Sequence, residues 1–328
     1  MSQFDAVLLP PAGPPEGALP RLERRRARPT PKPDRSTAVI VATRGRPDVV
    51  RELIARLGAQ TLSPEHIFVI GTRAEDVAGI APTGTGLTVS VGRPGSAFQR
   101  NDALAMAAGR YAYVVFFDDD FVPSRFWLER VVRLFETRPD VDGFTGHVLA
   151  DGAAGPGIDL TAALATVAER DVNPAALDAP MHDHVSYGGN TGCNMAFRHS
   201  AIRDLRFDER LPAYAWLEDA DFRGQVTRHG RFLRSDALWG VHLGHKSGRS
   251  RGVPLGYSQI ANAAYLARKG TVPARYLALT AARNVASNAV RSLRPEAFVD
   301  RRGRLKGNLI ALADLVTGRL APERILEL

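Results

Sequence analysis

The stretch YAYVVFFDDDFVPSRFW, Tyr111 to Trp127, joins an apolar run of seven residues to three consecutive aspartates, Asp118–Asp120. The apolar run is rich in β-branched and aromatic residues, which predicts a buried strand. Like charges packed at the end of such a strand repel each other unless a cation or strong hydrogen-bond donors neutralise them. The stretch therefore predicts a strand that ends at a charged site.

Strand and helix signals alternate on both sides of this stretch. Before it, the pattern predicts strands at STAVIVAT, HIFVIGT and LTVSVG, and helices at RPDVVRELIARLGAQ and SAFQRNDALAMAAGR, the second closed by Gly109. After it, helices are predicted at SRFWLERVVRLFETRP, near 160–170 and at LEDADFRGQVTRHG. Further strands are predicted at VDGFTGHVLA and RFLRSDALWGVHLGH, and TGCNMAFRHSAIRDL predicts a strand running into a helix. This order predicts an α/β fold with a mixed, mostly parallel sheet flanked by helices.

The sequence divides into three regions. Residues 1–35 contain many prolines and the basic cluster RLERRRARP, which predicts a mobile tail that is either merely solvated or in contact with nucleic acid or lipid. Residues 36–250 carry the α/β pattern. Residues 251–328 are mainly helical, which predicts a helical C-terminal extension.

Composition narrows the class of protein. The 328 residues are 45% hydrophobic and 24% charged, as in a soluble globular protein. A net charge of +8 favours anionic partners such as phosphorylated small molecules, nucleic acid or an anionic membrane. Cys193 is the single cysteine, which fits a reducing compartment. The sequence has no apolar run of transmembrane length and no apolar signal core near the N-terminus.

The aspartate cluster has two interpretations. Residues two apart in a strand share a face, so Asp118 and Asp120 are expected to project together, while Asp119 points the other way if the strand continues that far. In open α/β sheets, ligands bind beyond the carboxyl ends of the strands, and oxygen ligands suit Mg²⁺ or Mn²⁺. The cluster therefore predicts either a divalent ion carrying a diphosphate or a solvated turn that caps the next helix.

The wider arrangement resembles the family-two, GT-A-fold nucleotide-sugar glycosyltransferases. The resemblance covers roughly residues 36–250 and rests on the order of elements, FFDDD at the fourth strand, and WLEDADF about a hundred residues later. SAFQRNDALAMAAG is similar to the family's Arg-Asn helix start, and GGNTGCNMAFRHSAI to its strand–helix segment between the acidic motifs.

The resemblance implies a metal site at the aspartates. It makes Asp120 a metal ligand. Asp118 either contacts a metal-bound water or contacts the ribose. Asp119 can exchange roles with Asp118. A histidine after the last strand often completes the site, which implies His242 or His245. His242 is otherwise a core histidine bonded to the backbone.

The catalytic base implied by the resemblance is Asp219, in the segment LEDADF. An acceptor hydroxyl must lose its proton as it attacks the anomeric carbon, and a nearby carboxylate can take that proton. Because Glu218, Asp219 and Asp221 cannot all face one point from a helix, we expect Glu218 to orient the acceptor or to cap the helix. The alternative is an acidic first turn that only complements the helix dipole.

At the nucleotide, the resemblance implies contacts to the base, ribose and phosphates from a set of polar side chains: Thr43, Arg44, Arg46, Arg100, Asn101, Asp118, Asp119 and, from the loop after His245, Arg249. The sequence departs from the family where many relatives read a uracil-type base with an acidic pair. Gly71 and Thr72 stand there, and Glu75 or Asp76 would have to substitute. The identity of the nucleotide is therefore left open.

The acceptor and sugar side is predicted at Gly189, Asn190 and Trp216, whose ring offers a stacking face or belongs to the core. Acceptors in the family include glycans, lipid-linked sugars and small molecules. The arginine-rich C-terminal helices either dock on the catalytic domain or lie on an anionic membrane. The expected location is cytoplasmic, with peripheral contact at the inner face of the membrane left open.

The sequence thus predicts an inverting, metal-dependent glycosyltransferase that uses a nucleotide-sugar donor. Two alternatives are a nucleotidyltransferase acting on a sugar phosphate and a non-catalytic, basic nucleic-acid-binding protein. The first strand leads into TRGRP, which fits a phosphate loop weakly, and no nucleic-acid-binding motif is present, so nucleic acid is not an expected partner. The same turn excludes the Gly-x-Gly-x-x-Gly fingerprint of a nicotinamide dehydrogenase.

Overall fold

In the computed structural model, a single mixed sheet forms the centre of the fold. The structure describes residues 34–81, 86–174, 178–183, 192–246 and 252–328. All but the last two residues of the predicted tail lie outside these ranges, as do Gly189, Asn190 and Arg249.

The sheet contains every strand that the sequence predicts, and two further strands of three residues each, β5 and β7, which the sequence did not reveal. Strands so short leave too few alternating positions for a period to be read. The strands are β1 (Thr37–Ala42), β2 (His66–Gly71), β3 (Leu87–Val91), β4 (Tyr113–Asp118), β5 (Phe121–Pro123), β6 (Gly143–Asp151), β7 (Met181–Asp183), β8 (Asn194–Arg198) and β9 (Phe232–His242).

The strand order is β3-β2-β1-β4-β8-β6-β9-β5, with β7 paired to β9. The first four strands of the path are parallel, whereas β8 runs antiparallel to both β4 and β6, and β6 is parallel to β9. The strand order reverses between β1 and β4, because β2 and β3 lie on one side of β1 and β4 lies on the other, next to the carboxyl end that carries the aspartates. Ligand sites in open α/β sheets form at such positions.

Helices cover both faces of the sheet, as the continuous burial of β1, β2 and β4 requires. The α-helices are α1 (Pro47–Gly58), α2 (Ser96–Ala107), α3 (Trp127–Thr137), α4 (Leu160–Val172), α5 (His199–Ile202), α6 (Glu218–Val226), α7 (Gly252–Lys269), α8 (Ala274–Arg291) and α9 (Arg301–Val316). In β1, Ile40 packs on one face with residues of α2, α6 and α7, and Val39 packs on the other with residues of α1 and α3. Gly109, just after α2, has φ +72°, the left-handed geometry that ends a helix.

The C-terminal helices are attached to the α/β part by a buried polar contact as well as by apolar packing. Asp221 of α6 is fully buried, and its carboxylate accepts hydrogen bonds from Lys269 Nζ at 2.7 Å and Thr271 Oγ1 at 2.6 Å. Leu266 and Leu277 of α7 and α8 belong to the same apolar core as the sheet. The extension therefore fixes the position of α6.

Helices α7 and α9 pack through glycines. Gly252 and Gly256 lie one turn apart in α7, as Gly303 and Gly307 do in α9. A Cβ built on Gly256 would lie 2.0 Å from the carbonyl oxygen of Arg304, and one built on Gly307 would lie 2.1 Å from that of Val253. The two backbones are therefore in direct contact, and a side chain at either glycine would separate them.

Gly307→Ala is expected to lower the free energy of unfolding by about 1–3 kcal/mol, since the added methyl group overlaps backbone atoms that cannot rotate away. Urea unfolding followed by circular dichroism measures the change. Gly58→Ala is the matched control, because a Cβ at this helical position meets no atom within 4 Å. It should be neutral or slightly stabilising. Equal stability of the Gly307→Ala variant and the unsubstituted protein would disprove the close packing.

Candidate active site

A cavity of about 320 Å³ opens at the carboxyl ends of β1 and β4. Several of the side chains that the sequence analysis placed at the site line it. They are Thr43, Arg44, Arg46, Arg100, Asp118, Asp119, Asp120, Trp216, Glu218, Asp219, His242 and His245. Segments far apart in sequence therefore meet around one space.

Asp118, Asp120 and His242 form a group that can hold a metal ion. One potential ligand atom from each lies within 4.8 Å of the others, and His242 Nε2 is 3.3 Å from Asp120 Oδ1. The sheet explains this meeting, because β5 pairs antiparallel with β9 so that Phe121 lies opposite His242. Among the described residues this is the only such group.

Asp151 orients the imidazole of His242, a role that the sequence analysis missed. His242 Nδ1 lies 2.9 Å from Asp151 Oδ1, and the two residues are partners in the register of β6 and β9. A carboxylate on the far nitrogen fixes the ring and leaves Nε2 directed at the aspartates, as in many metal sites. The signal available for this role was that Asp151 stands at the end of β6, the strand that pairs with β9.

His245 takes a different position from His242. Its backbone N–H donates to Asp120 Oδ2 at 2.8 Å, while its imidazole is not part of the metal group. His245 thus holds a carboxylate in place through the main chain. Of the two histidines that the sequence offered as ligands, the geometry favours His242.

The buried charges shift one another's pKa values. Burial works to lower the pKa of His242, but hydrogen bonds to Asp120 and Asp151 outweigh it and raise the pKa to about 10. Burial works to raise the pKa of Asp120, but His242 and Arg46 bring it well below its usual value. Burial raises the pKa of Asp118. The site therefore attracts positive charge.

The carboxylate of Asp119 is not part of the metal group. Because β4 ends at Asp118, the turn after the strand, and not strand alternation, sets the direction of this side chain. Its carboxylate accepts a hydrogen bond from Thr43 Oγ1 at 2.7 Å and pairs with Arg46 at 2.6 Å. Arg46 also contacts Asp120 at 3.1 Å. Burial raises the pKa of Asp119 to about 7. Asp119 therefore joins the end of β1 to the end of β4.

Arg100 is buried between two acidic side chains. It donates to Glu218 at 2.5 Å and to Asp118 at 2.9 Å, which ties the start of α2 to both acidic motifs. Burial raises the pKa of Glu218 to about 8. Glu218 is therefore engaged with Arg100, whereas Asp219 is partly exposed at the cavity.

The segment before α6 has a strained backbone. Ala213, Ala215 and Leu217 have φ values of +58°, +49° and +76°, a region that residues with a side chain rarely occupy. Strain of this kind persists only where the surrounding structure imposes it, and it is concentrated at functional sites. Here it presents Trp216 and Asp219 to the cavity. The composition of this segment gave no indication of the backbone strain.

Asn101 does not line the cavity, contrary to the expectation that it positions the ribose or phosphates. Its side chain donates to the carbonyl oxygen of Phe207 at 2.9 Å and accepts from the N–H of Phe207 at 2.8 Å. Asn101 therefore holds the loop after α5. In its place, Gln99 lies at the cavity and donates to the carbonyl oxygens of Thr43 and Ile70.

Asp76 supports the loops after β1 and β2 from behind and does not line the cavity as a base-reading acid would. It is fully buried and accepts hydrogen bonds from the N–H groups of Gly45, Thr72 and Arg73 and from Thr72 Oγ1. Burial works to raise its pKa, but these hydrogen bonds hold it below the usual value. Asp76 thus joins the loops after β1 and β2.

A mixed sheet of this order, with an acidic metal group and a separate carboxylate facing one cavity, defines the GT-A class of nucleotide-sugar transferases. Residues 38–206, which are 169 of the 328, match the sequence model described as Glycosyl transferase family 2. The chain belongs to this family and is a glycosyltransferase. Family membership favours glycosyl transfer over nucleotidyl transfer and nucleic-acid binding.

The solved structures of S. aureus TarS have the same fold. The chain is similar to S. aureus TarS 1–349 at 16% identity and a TM-score of 0.53, and to its complex with UDP-GlcNAc at 16% and 0.54. Each match covers 88% of this chain and 82% of the other. The mannosyltransferase PcManGT from Pyrobaculum calidifontis, in complex with GDP-Man and Mn²⁺, matches at 18% identity, over 86% and 88% of the two chains, with a TM-score of 0.46. No curated protein matches the chain.

Within the ranges that the structure describes, no helix is both long and apolar enough to cross a membrane.

Asp76→Asn is expected to lower the free energy of unfolding at pH 7 by about 2 kcal/mol, because an amide cannot accept every hydrogen bond that the carboxylate accepts. The folded-state pKa of Asp76 lies below its ordinary value of 3.8. The stabilisation is therefore fully present above pH 3.8 and is lost as pH falls through the lower pKa.

Glu75→Gln is the matched control for this substitution, because Glu75 is the exposed neighbour. The urea concentration at the midpoint of unfolding, determined at pH 7 and at pH 3, measures the stability of both variants. If the two variants were equally stable at pH 7, Asp76 would not have the supporting role described above.

Proposed function

We propose that the protein is an inverting glycosyltransferase that moves a sugar from a nucleoside-diphosphate donor to an acceptor hydroxyl and requires a divalent cation. One observation supports the proposal above all. The metal group, Asp118, Asp120 and His242, and the carboxylate of Asp219 line the same cavity. A diphosphate bound at the metal group would place its sugar within the cavity that Asp219 faces.

The residues present fit a hard divalent cation such as Mg²⁺ or Mn²⁺. Two carboxylates and one imidazole converge, and the imidazole is oriented by Asp151 at 2.9 Å. Arg46 Nη1 lies 3.1 Å from Asp120 Oδ2, and His242 Nε2 lies 3.3 Å from Asp120 Oδ1. When bound, the cation would neutralise charge on the diphosphate as the sugar leaves it.

Cationic side chains of the protein would also stabilise the negative charge that develops on the leaving diphosphate. Arg46 borders the cavity beside Asp119, and Arg44 is exposed at its edge. Arg249 remains a proposed contact to the diphosphate from a segment outside the described ranges. Positive groups held in place before reaction stabilise a leaving diphosphate more than the intact donor, which is the condition for catalysis. Thr43 would lie against the nucleotide.

We assign the proton transfer to Asp219. Its carboxylate would take the proton of the acceptor hydroxyl as that oxygen bonds to the anomeric carbon and the bond to the diphosphate oxygen breaks. One displacement inverts the configuration of that carbon. Glu218 is the weaker candidate, because Arg100 holds it at 2.5 Å. Gly192 lets the backbone pass beside Asp219, since a Cβ there would lie 2.9 Å from Asp219 Oδ2.

The acceptor side of the proposal involves Trp216 and, outside the described residues, Gly189 and Asn190. Tyr276 and Thr280 of α8 also line the cavity, so residues 251–328 would complete a site built mainly on residues 36–250. A glycan, a lipid-linked sugar and a small molecule all carry the hydroxyl that the mechanism needs. We propose a cytoplasmic location, because that compartment contains nucleotide sugars and keeps a single cysteine such as Cys193 reduced.

Asp219→Asn should reduce glycosyl transfer by about 10²–10⁴-fold, because the amide cannot accept the proton, while nucleotide binding is retained. Release of nucleoside diphosphate from a panel of nucleotide sugars, with Mn²⁺ present, measures the rate. Asp204→Asn, at a side chain that is 83% exposed, is the matched control and should keep full activity. Full activity of the Asp219→Asn variant would refute the assignment.

Metal dependence should appear in binding. We expect one of UDP, GDP, TDP or CDP to raise the melting temperature in the presence of Mn²⁺ and to do so much less after EDTA treatment, because ligands of the native state stabilise it by mass action. Asp120→Ala should remove the Mn²⁺-dependent part of the shift. A nucleotide shift of equal size with EDTA, or in this variant, would contradict the metal site.

A further inference from the structure

Helices α8 and α9 expose large apolar side chains that have no partner in the described part of the chain. Val290 and Leu293 are 70% and 80% exposed, and Leu309 and Val316 are 58% and 88% exposed. Leu279, Leu312 and Leu315 are also exposed. We call these seven residues the C-terminal apolar face. Single exposed apolar residues are ordinary on proteins, but a set confined to two neighbouring helices and to Leu293, just after α8, is not.

The apolar residues follow helical spacing. In α9, Leu305, Leu309, Leu312 and Val316 lie at i, i+4, i+7 and i+11, which places them along one stripe. In α8, the exposed residues Leu279, Ala282, Ala286 and Val290 lie at i, i+3, i+7 and i+11. Each helix therefore carries a stripe of apolar residues on its outward side.

The inward sides of these helices are already in use. Asn288 of α8 donates to Asn308 of α9 at 2.9 Å and to Gln259 of α7 at 2.9 Å, all in buried positions. Gly307 brings α9 into backbone contact with α7. The C-terminal apolar face is thus fixed to the protein and cannot turn inward to bury itself.

Positive charge surrounds this face, because the acidic residues near it are already engaged with other groups of the protein. Between residues 274 and 316 the sequence has eight Arg and Lys residues and three acids. Asp314 is buried and bonded to Tyr257 and Arg324, Glu296 pairs with Arg291 and Arg301, and Asp300 caps α9. The exposed cations of the two helices are Arg275, Arg283, Arg291, Arg302 and Lys306.

We propose that the C-terminal apolar face lies on the surface of an anionic phospholipid bilayer. An outward stripe of Leu and Val beside Arg and Lys is the pattern of helices that rest in the interfacial region, with apolar side chains among the acyl chains and cations at the phosphates. A second copy of the chain fits poorly, because a twofold contact would oppose cation to cation. The proposal is independent of glycosyl transfer.

Co-sedimentation of the full chain with vesicles tests this proposal. The protein should bind vesicles of phosphatidylglycerol and phosphatidylcholine, bind vesicles of phosphatidylcholine alone at least about tenfold more weakly, and dissociate as salt is raised. The double variant Leu309→Asp, Leu312→Asp should lose about tenfold or more in partition while keeping its melting temperature. Arg302→Gln, Lys306→Gln should weaken binding to the anionic vesicles only.

The matched control is the double variant Met106→Asp, Val172→Asp, which places the same charges at apolar residues of α2 and α4 that are 38% and 76% exposed. It should bind vesicles like the unsubstituted protein. Three outcomes would overturn the proposal: no vesicle binding, binding unchanged in the Leu309→Asp, Leu312→Asp variant, or a dimer in sedimentation velocity that this variant dissociates.

Discussion

The constraint on which the structure depends is the concentration of negative charge at the carboxyl end of β4. Asp118, Asp119 and Asp120 are adjacent there, and Glu218 approaches from α6. Buried carboxylates this close must be neutralised. The fold supplies Arg46, Arg100 and His242 for this purpose, each from a different element.

Those neutralising contacts also position the parts of the site. Arg100 connects α2 to both acidic motifs, and Thr43 and Arg46 connect β1 to β4 through Asp119. The C-terminal helices complete the arrangement, because Lys269 and Thr271 hold Asp221 and with it the helix that carries Asp219. A cavity assembled from so many segments keeps its geometry only when all of them are in place.

The sequence predicted the strongly periodic elements and the metal group, and it failed where tertiary contacts decide the outcome. The apolar run before Asp118 was enough to place β4, whereas the turn that follows the strand separates Asp119 from its neighbours. Asn101 and Asp76 carry polar side chains near the expected nucleotide, but their orientation depends on loops that pack against them. Asp151 escaped notice because its role arises from the pairing of β6 with β9. The strain before α6 has no sequence signal at all.

The most direct test is diffraction from crystals grown with Mn²⁺ and a nucleoside diphosphate, with data collected to show the anomalous signal of manganese. We expect one peak between Asp118, Asp120 and His242, in contact with the diphosphate oxygens. A nucleotide bound in the cavity with no manganese at these three residues, or with the ion held elsewhere, would contradict the central claim.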